Sequence, residues 1–67
     1  MIQSDQELKT TRERIAYLLD LLARLRVSCR PEELALASSG YRAEVERMQR
    51  EMLDYLTQPA PTTAKAG

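Results

Sequence analysis

The sequence predicts an all-α protein, an antiparallel two-helix hairpin over about residues 5–27 and 31–57 that pairs with a second copy to form a four-helix bundle. Three observations carry this expectation. Apolar residues recur at alternating steps of three and four along two long stretches, the spacing of an a/d seam. Only a short connection ending at Pro31 separates the stretches. At 67 residues, the chain lies in the size range where one core is marginal without a staple or association.

The first helix should begin at about Asp5. Ser4 followed by Glu7 has capping-box spacing, in which the Ser4 hydroxyl accepts from the third helical amide and the Glu7 carboxylate accepts from the Ser4 amide. Asp5 adds negative charge to the first turn, which the helix dipole favours, and Ile2 is placed to pack back as a loose staple. The seam then runs Leu8, Thr11, Ile15, Leu18, Leu22 and Leu25. Leu19 and Leu21 fall on its two flanks, so the apolar face is widest in the middle and one partner helix cannot cover all of it. Asp5 with Lys9 and Asp20 with Arg24 are acid-before-base pairs four apart, each worth a few tenths of a kcal/mol. Arg24 and Arg26 sit in the last turn, where cations meet unpaired carbonyls.

Val27–Arg30 forms the connection, because Pro31 disfavours helical geometry at Arg30 while suiting the first position of a new helix. Glu32 and Glu33 supply the next first-turn charge. The second seam runs Leu34, Ser38, Tyr41, Val45, Met48, Met52 and Tyr55. Reflection about the turn sets Leu25 near Leu34, Leu18 near Tyr41, Ile15 near Val45 and Leu8 near Met52, so the registers match along the whole length. Ala35–Gly40 is the weakest stretch, since Gly costs about 1 kcal/mol relative to Ala and serines favour caps and turns. The seam keeps its phase across it, however, so a continuous helix is expected. The small residues there face the bulkiest part of the first helix. They read either as a site of close approach or as a plain weak spot. Arg42/Glu46, Arg47/Glu51, Glu46/Arg50 and Arg50/Asp54 are pairs four apart on a solvated face. Leu36 and Leu53 lie outside the seam. The hairpin thus occupies residues 1–57, and residues 58–67, with two prolines and no large apolar side chain, read as a disordered Pro/Thr/Ala tail.

Charge and composition narrow the function classes. Ten basic residues balance ten acidic ones, so no global field draws the chain to nucleic acid or an anionic membrane. The balance is uneven along the chain: residues 1–30 carry six basic and four acidic side chains, residues 31–57 three and six. Attraction between the two helices follows. The start, Met1–Asp5, has neither the basic nor the apolar run of a signal peptide, and Asp20 and Arg24 interrupt the only leucine-rich stretch. A cytoplasmic protein without a membrane role is expected. The single cysteine, Cys29, excludes an intrachain disulfide and fits a reducing compartment.

Catalysis would require a nucleophile with a base, paired carboxylates in a cleft or metal ligands at working spacing. With no His and one loop Cys, only carboxylates remain. Glu44 and Glu51 share a flank of the second helix, but carboxylate-lined bundles also use a Glu-x-x-His motif that this chain lacks. Gly40 and Gly67, the only glycines, do not make a phosphate loop. No catalytic residue, cofactor or metal is expected. The alternative to protein binding is an RNA-binding hairpin dimer that uses Lys9, Arg12, Arg24 and Arg26 as a stripe beside the first seam. Glu13 and Asp20 dilute that stripe, and Tyr17 alone offers an exposed ring for stacking.

The stretches Met1–Ile15 and Ser39–Leu56 resemble small bacterial helical proteins and, more loosely, the helical amino-terminal part of antitoxins that carry a helix-turn-helix domain and pair with RelE-like toxins. That resemblance implies helices that bind a protein partner, such as a toxin. The sequence departs from that pattern where a Pro/Thr/Ala tail stands in place of the start of the DNA-binding domain, which puts operator binding in doubt. The sequence therefore predicts a protein-interaction module, an antitoxin-like or small regulatory adaptor that forms a homodimer. Its helix-helix and oligomer contacts are expected from Leu8, Ile15, Leu18, Leu19, Leu21, Leu22, Leu25, Leu34, Tyr41, Val45, Met48, Met52 and Tyr55.

Overall fold

The structure, a computed structural model, describes residues 1–59. The tail expected from Gln58 onward lies outside the described residues except for Gln58 and Pro59. Two helices, α1 (Asp5–Ser28, 24 residues) and α2 (Pro31–Leu56, 26 residues), pack against each other as an all-α hairpin.

Local chemistry sets each boundary. Ser4 has an extended backbone, and its hydroxyl accepts from the Glu7 amide at 3.2 Å. The Glu7 carboxylate accepts from the Gln3 amide at 2.8 Å, one residue earlier than the capping-box reading places it. α1 runs one residue beyond the expected Val27, and the Cys29 amide closes it by donating to the Leu25 carbonyl at 2.8 Å. The connection is therefore two residues, Cys29 and Arg30, both extended with ψ near 150°. Pro31 enforces this at Arg30 and then serves as the first residue of α2. A link of this length suits an antiparallel hairpin, and α2 returns along α1.

α2 is continuous through Ser38, Ser39 and Gly40. The Ser38 hydroxyl donates to the Leu34 carbonyl at 2.7 Å and the Ser39 hydroxyl to the Leu36 carbonyl at 3.1 Å, so both serines bond back along the helix instead of breaking it. Gly40 is not held by close approach within the hairpin. A Cβ added there would meet nothing within 4 Å, and its φ is not positive. Within the single chain, the glycine is the plain weak spot.

Ile15 and Leu18 from α1 and Val45 and Met48 from α2 form the buried cluster, with Leu21, Leu22 and Met52 packed against it. Leu8, Thr11, Leu25, Leu34, Ser38 and Tyr55 are half-buried along the same line. Tyr41 keeps 40% of its surface exposed, because it sits where α2 presents small neighbours that do not wall it in. The core is thin. Met48, its most buried member, still exposes 3%, and no described side chain is wholly excluded from solvent.

Candidate interaction surface

Two helices packed along one seam leave two flanks, and each flank collects residues seven apart. On one flank α1 contributes Arg14 and Leu21, with Tyr17 beside them, and α2 contributes Ala37, Glu44 and Glu51, with Gly40 beside them. Leu18, Tyr41, Arg14, Glu44, Ala37 and Gly40 together line a shallow depression midway along this flank. Its floor is low because Ala37 and Gly40 carry almost no side chain. Farther along, toward the open end, the chain's own start fills the same flank. Ile2 is buried there, in a hollow lined also by Arg47, Glu51, Asp54 and Tyr55, and the terminal ammonium stands 3.9 Å from Glu51 Oε1. Ile2 therefore lies against α2, where the sequence reading placed it as a staple on α1.

Charged groups order the α2 side of this flank. Arg47 bridges two half-buried carboxylates, with Nη2 2.7 Å from Glu44 Oε2 and Nη1 2.9 Å from Glu51 Oε2. Its bond to Glu44 and the negative charges of Glu44 and Glu51 raise the guanidinium pKa further, so the bridge stays charged across the accessible pH range. At the open end the Tyr55 hydroxyl donates to Asp5 Oδ1 at 2.6 Å and ties the last turn of α2 to the first turn of α1.

The opposite flank carries Arg12, Leu19 and Arg26 from α1 and Ala35, Arg42, Gln49 and Leu56 from α2. Leu19, expected at a contact, is about half-exposed, whereas Leu21 on the first flank is partly covered. Large apolar side chains remain in solvent over the hairpin: Leu36 is 83% exposed, Tyr17 67% and Leu53 62%.

The four basic residues weighed for RNA do not share one stripe. Arg24 and Arg26 are two apart, about 200° around the helix, so they point to opposite sides. Arg24 Nη2 is also 2.8 Å from Asp20 Oδ2, which neutralises it locally. Lys9, Arg12 and Arg26 are exposed on the other side. Asp5 does not pair with Lys9 as its spacing suggests, because the Tyr55 hydroxyl takes its carboxylate.

Among the described residues, no group of three or more His, Cys, Asp or Glu side chains could hold a metal ion. No helix among them is long and apolar enough to cross a membrane. Cys29 is a free, half-buried thiol in the turn. Comparison with protein-family models, with curated proteins and with solved structures gives no match for this chain.

Sequence reasoning missed three features: the tie between Tyr55 and Asp5, the seat of Ile2 on α2 and the Arg47–Glu44 arm of the bridge. The first was legible in part, since the reflected register sets Tyr55 level with Asp5. The third had a signal in its spacing of three. The second had none, because a two-residue extension carries no periodicity.

Proposed function

We propose that this chain is a protein-interaction module, a cytoplasmic helical hairpin that associates with a second copy of itself and serves as a small adaptor or regulator by helix-mediated binding of a protein partner. The observation that carries the reading is the mismatch between a four-residue buried cluster and the large apolar side chains left in solvent along both helices. A chain this small, whose single cysteine allows no intrachain disulfide, commonly gains stability by association. A toxin as partner rests on the sequence resemblance alone, and the comparisons add nothing to it, so the proposed activity is kept to protein binding.

Retention on nucleic acid tests this reading. The purified protein is expected to pass through immobilised double-stranded RNA and DNA at low salt, since the four basic residues weighed for RNA are divided between two sides of α1 and one of them, Arg24, is ion-paired. Retention that collapses as salt rises would be the signature of phosphate contacts and would replace protein binding with the nucleic-acid reading.

A further inference from the structure

We infer that the face formed by Tyr17 and Leu21 of α1 with Ala37 and Gly40 of α2 is the seat of a second copy of this chain, packed about a two-fold axis parallel to the hairpin with both turns at the same end. The inference rests on the self-association proposed above and adds its surface and orientation.

Shape is the first argument. On this flank a raised side and a low side face each other: Tyr17 stands 67% exposed on α1, whereas Ala37 and Gly40 form the α2 side of the depression between the helices, with open space above Gly40. A two-fold axis turns such a surface onto itself and sets the raised side of each copy against the low side of the other. When the axis runs along the hairpin, residues keep their level. Tyr17 and Leu21 lie level with Gly40, Tyr41 and Ala37 in their own chain, since Leu18 and Tyr41 line one depression, and so they meet those residues in the second copy without sliding. The space above Gly40, empty within the single chain, then receives a side chain.

Charge is the second argument. This arrangement lays α1 of one copy on α2 of the other, antiparallel, and residues 1–30 are net basic while residues 31–57 are net acidic. Arg14 comes beside Glu44 of the second copy, part of a bridge in which two carboxylates share the one Arg47 guanidinium and so keep a net negative charge. The arrangement with α1 on α1 would set basic against basic.

The opposite flank fails the same comparison. There Leu19 comes level with Arg42, so an apolar side chain would meet a guanidinium. The face, about 36 Å of helix by two helix widths of about 10 Å, outlines roughly 700 Å²; Met1 and Ile2 already occupy its open end, so the contact falls toward the smaller end of specific interfaces.

Gly40→Arg is the direct test, because the added Cβ meets nothing within 4 Å in the single chain and an arginine favours helix more than a glycine does. The variant is expected to keep its helical circular dichroism and to sediment as a monomer at concentrations where the wild type is a dimer. Leu53→Lys, away from this face, is expected to stay dimeric. Cys29 reports orientation: with both turns at one end, a bismaleimide spanning about 20 Å, two interaxial spacings, should join the two thiols in a dilution-resistant yield. Turns at opposite ends would hold them about 36 Å apart, a full helix length. A Gly40→Arg protein that remains dimeric, a Leu53→Lys protein that dissociates, or a dimer that gives no cross-link would each overturn this face or orientation while leaving self-association intact. A wild-type chain that is monomeric at every concentration would overturn self-association itself and leave the face to a different protein.

Discussion

The Tyr55 hydroxyl donates to Asp5 Oδ1 across 2.6 Å, joining residues fifty positions apart at the open end of the hairpin. At the other end the covalent turn holds the helices together; here the chain has no such link. The bond to Asp5, partial burial, and the negative charges of Asp5 and Glu7 all favour the neutral phenol and raise its pKa above the ordinary tyrosine value of 10.0. Folding thus binds the phenolic proton more tightly than the unfolded chain does. The resulting stabilisation is complete below the unfolded tyrosine pKa and is lost as pH rises through the raised folded value. Melting temperature should fall above about pH 10, and Tyr55→Phe should remove part of that alkaline decline. A decline unchanged in Tyr55→Phe would contradict the role given to this bond.

Truncations separate core from surface. Met48→Ala and Ile15→Ala should each cost about 2–5 kcal/mol of unfolding free energy, as for other buried large side chains cut to alanine. Leu36→Ala, at an 83% exposed position, should stay within about 0.5 kcal/mol. Denaturant unfolding followed by circular dichroism reads both. A Leu36→Ala loss comparable to that of Met48→Ala would show that Leu36 is covered in solution.

Ser4→Ala removes the side-chain acceptor of the Glu7 amide at the start of α1, and the expected loss is about 1 kcal/mol. It should act locally, with amide exchange accelerated over Asp5–Glu7 and unchanged over Val45–Met48. Uniform acceleration would mean that the first turn is part of one global unfolding unit instead of a fraying end.

The helices, their turn and the line of contact were legible because each rests on a periodic or stereochemical signal. The seam from Leu8 to Leu25, the reflected seam from Leu34 to Tyr55, Ser4 as cap and Pro31 as first residue are all such signals. What escaped depends on competition between partners. Asp5 could pair with Lys9 by spacing, yet the Tyr55 hydroxyl occupies it, and only the register of the two helices together reveals that rival. Glu7 could reach the Ser4 amide by spacing but accepts from Gln3 instead, one residue earlier. Gly40 illustrates the reverse. Small residues opposite large ones suggested close packing within the chain, whereas the structure leaves open space above the glycine. In sequence, a hollow for an outside side chain and a hollow for an inside one look the same.

Sedimentation equilibrium of the full chain, at concentrations on the order of tens of micromolar, tests the central claim most directly. The thin core and exposed apolar side chains predict the mass of two copies, shifting toward one copy on dilution. A single-copy mass at all concentrations, accompanied by a cooperative melt, would contradict it, because the hairpin would then be stable with its apolar flanks in water.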